Sequence, residues 1–181
     1  GEYWLGMENI GLELWDRAEN KVKSYKKYNQ FDKLKKSTIY HISDLDGQHL
    51  LIASTSGLYV LHQQKGVIAR FWRKGETGHF IPHNIIHHIH LDKEDKNTWW
   101  LATGGGGLLK LIMKNEGMNN GKWEIEDFTQ FAVVDGLSSN VLHCVYEGER
   151  GWLWMSSDYG LIRFHKKSHI ATSFLDRDGI S

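Results

Sequence analysis

The chain has 181 residues, 40% hydrophobic and 24% charged, which is the composition of a soluble folded domain with a core and not of a disordered or fibrous chain. Its 22 lysines and arginines balance 22 aspartates and glutamates, so no net field draws it to nucleic acid or an anionic membrane, and no apolar run approaches the ~20 residues of a membrane span. Nineteen glycines, eight tryptophans and one proline suit a turn-dense all-β chain with aromatic layers, and the lone Cys144 excludes an internal disulfide without fixing a compartment.

The chain opens on two short apolar runs, Tyr3-Trp4-Leu5-Gly6-Met7 and Gly11-Leu12-Glu13-Leu14-Trp15, joined by a tight turn. The same pair recurs as Leu50-Leu51-Ile52-Ala53-Ser54 with Gly57-Leu58, as Trp99-Trp100-Leu101-Ala102-Thr103 with Gly107-Leu108, and as Leu153-Trp154-Met155-Ser156-Ser157 with Gly160-Leu161. The Gly-Leu pairs start at 11, 57, 107 and 160, spaced by 46, 50 and 53 residues. Such a period, carried by β-type runs and turn glycines, predicts a propeller, in which each repeat is one small sheet that cannot bury its faces alone.

A further strand precedes three of these pairs. Ser37-Thr38-Ile39-Tyr40-His41-Ile42 aligns with Asn84-Ile85-Ile86-His87-His88-Ile89 and Asn140-Val141-Leu142-His143-Cys144-Val145, each followed by an acidic or glycine turn. The fourth strand is the least regular: Val22, Tyr25 and Tyr28 match Ile125, Phe128 and Phe131, and Asp32-Lys33-Leu34, Asp135-Gly136-Leu137 and Asp178-Gly179-Ile180 occupy one repeat position. Length varies between strands, in the polar insert from Lys114 to Lys122 and in the connection from Gly75 to His79, both expected to be loops. The first repeat starts at its second strand. The expectation is therefore about fifteen strands in four radial sheets (repeats of roughly 1–47, 48–98, 99–151 and 152–181), the first lacking its innermost strand. The sheets form an open arc of a larger propeller, with further blades as partners.

These landmarks resemble the two-component regulator propeller repeat. The match runs from Asp135-Gly136-Leu137-Ser138-Ser139-Asn140-Val141 through Gly151-Trp152-Leu153-Trp154-Met155-Ser156-Ser157 to Gly160-Leu161-Ile162-Arg163-Phe164. Departures are Lys33 for the turn glycine, Leu51 for the tryptophan, and Glu147-Gly148 in place of the usual aspartate. The resemblance implies the sensor half of a bacterial hybrid two-component receptor. It lies in the periplasm or outside the cell, beside adjoining sensor domains, and commonly senses carbohydrate breakdown products. The kinase or other output module lies elsewhere, so the stretch itself is implied to be non-catalytic.

Several features invite chemistry and have plainer explanations. In His83-Asn84-Ile85-Ile86-His87-His88-Ile89-His90, His88 and His90 share a strand face, as metal ligands could, but no Cys or carboxylate nearby completes a set. Histidines recur in the first strand because an innermost strand lines a polar channel. Gly104-Gly105-Gly106-Gly107 lacks the Lys-Ser/Thr of a phosphate loop and aligns with the turn Thr55-Ser56-Gly57. The seven lysines from Lys21 to Lys36 guard an edge strand against strand addition. Cys144 is read as a small packing residue, and nothing in the sequence requires a metal or cofactor.

The leading reading is a non-catalytic sensor module; the competitors are an exported propeller lyase or hydrolase and a WD40-type scaffold. The candidate ligand site is the loop from Gly75 to Asn84, where His79, Phe80 and His83 set an aromatic beside hydrogen-bonding groups, a surface that can stack on an oligosaccharide ring. Trp4, Trp100 and Trp154 hold equivalent positions. If all pack in a core, Trp100→Ala or Trp154→Ala costs on the order of 3–5 kcal/mol.

Overall fold

The computed structural model describes residues 1–23, 34–116 and 122–179. Among them are fifteen strands: β1 (Glu2–Met7), β2 (Gly11–Asp16), β3 (Lys21–Lys23), β4 (Ile39–Asp44), β5 (His49–Ser54), β6 (Gly57–His62), β7 (Gly66–Phe71), β8 (Ile86–Leu91), β9 (Thr98–Thr103), β10 (Leu108–Glu116), β11 (Lys122–Phe131), β12 (Leu142–Glu147), β13 (Trp152–Ser157), β14 (Gly160–His165) and β15 (Ala171–Phe174). They form four antiparallel meanders, β1-β2-β3, β4-β5-β6-β7, β8-β9-β10-β11 and β12-β13-β14-β15. The first meander has three strands among the described residues, as the repeat alignment expects.

The turn chemistry explains the sequence landmarks. Gly11, Gly57, Gly107 and Gly160 have φ of 94°, 121°, 76° and 97°. A Cβ on them would lie 2.3, 2.3, 2.1 and 2.3 Å from the carbonyl oxygens of Leu34, Phe71, Phe131 and Phe174, so both conformation and space demand glycine. The Ser/Thr closing the second strand ties the same turn. Ser54, Thr103 and Ser157 donate their hydroxyls to the carbonyls of Gly57, Gly107 and Gly160 at 2.8, 2.7 and 3.0 Å. The same oxygens accept the amides of Ser56, Gly106 and Tyr159. In the Asp-Gly turns, Asp135 and Asp178 each accept the amide three residues back, from Ala132 and Leu175, at 2.9 Å. Asn84 and Asn140 likewise accept the amides of Arg73 and Val133.

Packing between sheets follows strand alternation. Leu12, Leu34, Ile39, Leu50, Ile52, Tyr59, Leu61 and Val67 join the first and second sheets, with Trp4 packed against them. Leu51, Ala53, Val60 and Phe71 meet Ile89, Trp99, Leu101 and Leu111 between the second and third. Trp100, Leu108 and Phe131 meet Leu142, Val145, Met155 and Phe164 between the third and fourth. Among the described residues no core cluster joins the fourth sheet to the first, so the sheets form an open arc.

Three expectations are corrected. Trp100 is 1% exposed, but Trp154, at the same register position opposite Arg163, lies on the outer face of the last sheet and is only half-buried. No sheet follows it among the described residues. The polar insert is not all loop: Lys114, Asn115 and Glu116 continue β10 and pair with Glu124, Trp123 and Lys122, because extending the outer hairpin satisfies their backbone groups. Cys144 is exposed, since its position in β12 turns it away from the packed face. The strand match at Tyr25 and Tyr28, the turn positions Lys33 and Ile180, and Lys26, Lys27 and Lys33 of the edge run lie outside the described residues. Lys23, which is described, pairs with Asp16 and Glu2.

Candidate functional site

Residues 34–38, leading into β4, and the loops that carry β7 to β8 and β11 to β12 sit beside the turns between second and third strands, at one end of the sheets. Backbone bonds tie them: Thr55 donates to Thr38, Gly104 to Ile85 and Gly107 to Asn140. Within the β7–β8 loop, Trp72 and Gly75 bond to His79 and Trp72, and Phe80 bridges to Trp72. His79 thereby stacks on Phe71 with ring centroids 5.4 Å apart, and Phe80 meets Phe128 of β11 at 5.8 Å. Ile125 of β11 donates to the Gly78 carbonyl, so this part of the loop lies along the outer strand. His83 goes elsewhere. It packs under the glycine turn, where Cβ atoms on Gly105 and Gly106 would come within 3.0 and 2.9 Å of it. The three sequence candidates thus divide into an outer pair and one inner residue.

The inner residue adjoins a constellation that sequence reasoning treated as channel lining. β4, β8 and β12 each contain a bulge at the same repeat position: the register passes from Ile39 to His41, from Ile86 to His88 and from Leu142 to Cys144. The skipped residues are Tyr40, His87 and His143. A bulge leaves one residue out of the ladder and re-aims its side chain. Here the re-aimed rings meet, Tyr40 edge-on to His87 at 4.7 Å and His87 stacked on His143 at 5.4 Å. His87 Nδ1 lies 2.7 Å from the Leu142 carbonyl, and His143 Nε2 lies 2.7 Å from Asp158 Oδ1. The alignment of His87 with His143 was visible in the sequence, whereas the bulge that unites them was not.

Next to this row, His41 and His88 lie 4.1 Å apart. Burial lowers the His41 pKa, and burial, aided by the neighbouring His41 and His90, lowers that of His88 from 6.5 to about 4. His90 is also lowered by burial, which outweighs the pull of Glu147 at 3.4 Å. These rings are therefore neutral near pH 7. Among the described residues no three His, Cys, Asp or Glu side chains are placed to hold a metal ion.

A buried ionic cluster joins the other ends of the third and fourth sheets, and sequence reasoning missed it by assigning acids to turns. Lys166 Nζ reaches both oxygens of Asp92, at 3.1 and 3.0 Å, and also Glu147. Trp100 Nε1 donates to Asp92 at 2.8 Å, and the Lys93 amide donates to Glu147 at 2.9 Å. Burial pushes the Asp92 pKa upward, but the donors from Trp100 and Lys166 prevail and hold it below the usual value. Burial likewise opposes the Lys166 charge, and Glu147 and Asp92 prevail to raise its pKa. With its carboxylates so engaged, the cluster cements two blades.

The two faces at the ends of the arc carry aromatic rings, and no further sheet covers them among the described residues. On the last sheet the Arg163 guanidinium lies over Trp152 at 4.4 Å, Trp154 at 5.8 Å and Phe174 at 5.9 Å. On the first, Tyr3 and Trp15 are 5.6 Å apart, with Tyr3 and Val22 exposed.

No protein-family model and no curated protein matches the sequence. Solved structures do. The extracellular domain of the hybrid two component system BT3049 from B. thetaiotaomicron superposes with a TM-score of 0.71 and 17% identity, over 98% of this chain and 22% of that one. The extracellular domain of the one component system BT4673 from the same organism gives 0.70 and 20%, over 100% of this chain and 24% of that one. A 6-phosphogluconolactonase from Bacteroides uniformis gives 0.54 and 10%, over 96% of this chain and 52% of that one. The chain is thus similar in fold to these extracellular domains along its whole length while spanning under a quarter of theirs, and a protein named as a lactonase shares the fold as well.

Proposed function

We propose that this chain is a non-catalytic run of blades in the sensor propeller of a two-component signal-transduction receptor, placed in the periplasm or outside the cell. The observation that supports the reading is the open arc itself: four repeat-built sheets whose end faces carry the aromatic pairs Tyr3–Trp15 and Trp152–Trp154–Phe174 with no further sheet packed on them among the described residues. Partial coverage of the larger sensor domains supports the same reading. Its partners are then the remaining blades and adjoining domains of one receptor. The rigid sheets hold loops at their ends, and ligand contact by those loops shifts how the blades meet their neighbours. A carbohydrate fits the chemistry of the β7–β8 loop, with Phe80 partly exposed beside His79 and with His83 at the inner end.

The test substitutes Phe80 and His83 by alanine in the full-length gene product and compares saccharide affinity by calorimetry, and signalling output, with wild type. Loss of both supports the loop as a site; unchanged binding and output in a folded variant removes it and leaves the loop an architectural role. The likeness to a lactonase keeps an exported enzyme as the second reading. Turnover of lactones or glycosides by the full-length product would favour it over the sensor.

A further inference from the structure

Alternation along a strand decides which neighbouring sheet each residue serves. Val60 of β6 and Leu109 of β10 belong to one apolar cluster between the second and third sheets, Val60 facing the sheet that follows it and Leu109 the sheet that precedes it. Three residues after its turn glycine, Val60 holds the repeat position of Arg163; two residues after its own, Leu109 holds that of Glu13, Tyr59 and Ile162. Tyr59 and Ile162 likewise pack toward the preceding sheet. Arg163 therefore stands on the outward face of the last sheet, in register with Trp154. Glu13 stands on the outward face of the first, in register with Leu5 and two residues from Trp15.

Each end face thus has a charge where the inner junction has an aliphatic side chain, and neither charge is matched among the described residues. The Arg163 guanidinium is seated on Trp152, Trp154 and Phe174, and its Nε is buried, yet no described group accepts a hydrogen bond from that nitrogen. Arg70 shows the matched arrangement: it lies over Tyr59 and Trp72 at 5.3 and 4.7 Å, and its Nε and Nη2 donate to the Ser56 carbonyl at 3.3 and 2.7 Å. On the first sheet, Glu13 Oε2 is buried with no donor among the described residues. Buried polar atoms in folded proteins find partners, and an unpaired buried charge is costly. Rings beneath a guanidinium satisfy none of its N–H donors, whose planar fork fits a carboxylate through two parallel bonds. A neutral carbonyl would satisfy the donors but leave the charge buried between sheets, so the complement of Arg163 is an acid and that of Glu13 a base.

We infer that the sheet following β15 in the full-length gene product presents an Asp or Glu to Arg163, and that the sheet preceding β1 presents a Lys or Arg to Glu13. This rests on the reading of the chain as blades within a larger propeller and gives its two neighbouring sheets a stated chemistry. The acid belongs at the repeat position of Leu109 or Leu111 in the following sheet, and the base at that of Leu58 or Val60 in the preceding one. The test uses the full-length product and hydrogen–deuterium exchange at β14 and β2, which reports local opening of each end sheet. Arg163→Glu, which sets two carboxylates face to face, should speed β14 exchange by at least about tenfold, and reversing the facing acid to Arg in the same molecule should restore most of the protection. Glu13→Lys, with reversal of its facing base to Glu, should behave alike at β2. Arg163→Gln and Glu13→Gln guard against a charge reversal that fails to fold, and each should speed exchange at its own sheet by a smaller factor. Lys167→Glu, at an exposed position just past β14, should change neither.

Unchanged exchange in the charge-reversed variants, or a loss of protection that the paired reversal does not restore, would overturn the inference. So would the absence of an acid or base at the stated positions of the neighbouring sheets, an outcome that leaves the propeller reading intact. That reading fails separately, and takes the inference with it, if hydroxyl-radical footprinting of the full-length product labels Trp15 and Trp154 as freely, relative to intrinsic reactivity, as the exposed Tyr159, since no sheet then covers them.

Discussion

Trp100→Ala and Trp154→Ala should separate sharply although the two residues share one repeat position. Trp100 is 1% exposed, stacked on Phe131 at 6.4 Å and edge-on to Phe164 at 6.3 Å. Truncating such a ring costs about 3–5 kcal/mol in lost transfer and cavity formation. Its N–H bond to Asp92 adds about 1–2 kcal/mol, at the low end for a charged acceptor because Lys166 and the amides of Glu94 and Asp95 still satisfy that carboxylate. Trp154 stacks on Phe174 at 5.7 Å and under Arg163, but one face is open, so its removal should cost about 1–2 kcal/mol. The assay is urea unfolding followed by far-ultraviolet circular dichroism, which is insensitive to the loss of an indole fluorophore. Since about 5 kcal/mol is comparable to the whole stability of many domains, Trp100→Phe, at about 2 kcal/mol, guards against outright unfolding. Equal losses for the two alanine variants would refute the assignment of Trp100 to an inter-sheet core and Trp154 to an open face.

Gly57→Ala forces a Cβ to 2.3 Å from the Phe71 carbonyl at φ 121°, so it should destabilise by about 3 kcal/mol or more, whereas Gly47→Ala, at φ 76° but with open space around it, should cost only the about 1–2 kcal/mol of the left-handed backbone; thermal melts separate them. Stability should fall as pH drops from 6.5 to about 4, because folded His88, at about 4, binds fewer protons than the unfolded ring. His41 and His90 act in the same direction. The loss is on the order of 2 kcal/mol after discounting for partial solvation, read from urea midpoints at pH 7 and pH 5, and a flat profile, or no flattening in His88→Asn, would contradict it. Lys166→Met leaves Asp92 and Glu147 buried without their cation and should cost about 3–5 kcal/mol, while Lys167→Met, one residue on and exposed, should be neutral in the same unfolding assay.

What the sequence revealed follows from what repeats. Gly57 and its three counterparts recur because one turn needs positive φ, and Ser54, Thr103 and Ser157 because three of those turns are tied by a hydroxyl, so the copies located the strands to within a residue or two. Features built from one blade against the next were hidden. Asp92, Glu147 and Lys166 come from three separate segments and meet only when the third and fourth sheets pack, so each looked like an ordinary turn or surface charge. The row Tyr40–His87–His143 lay half in view: the alignment placed the residues together, but a bulge has no residue signature of its own. The outer placement of Phe80 against Phe128 depends on β11 running past the loop, which periodicity could not indicate.

If these sheets are a stretch of a longer sensor propeller, the inner edge of β1 is where the difference will register. In the described chain β1 pairs with β2 alone, so every second amide of Glu2–Met7 faces away from its partner strand. Hydrogen–deuterium exchange followed by mass spectrometry should compare the 181-residue chain with the full-length gene product. An innermost strand supplied by the full-length product should slow those β1 amides by at least about tenfold, since opening a paired edge then costs more than 1.4 kcal/mol. The β15 edge, an outermost strand in either context, should exchange alike in both and serves as the internal control. Equal exchange at β1 in the two proteins would contradict the reading of this chain as blades within a larger propeller.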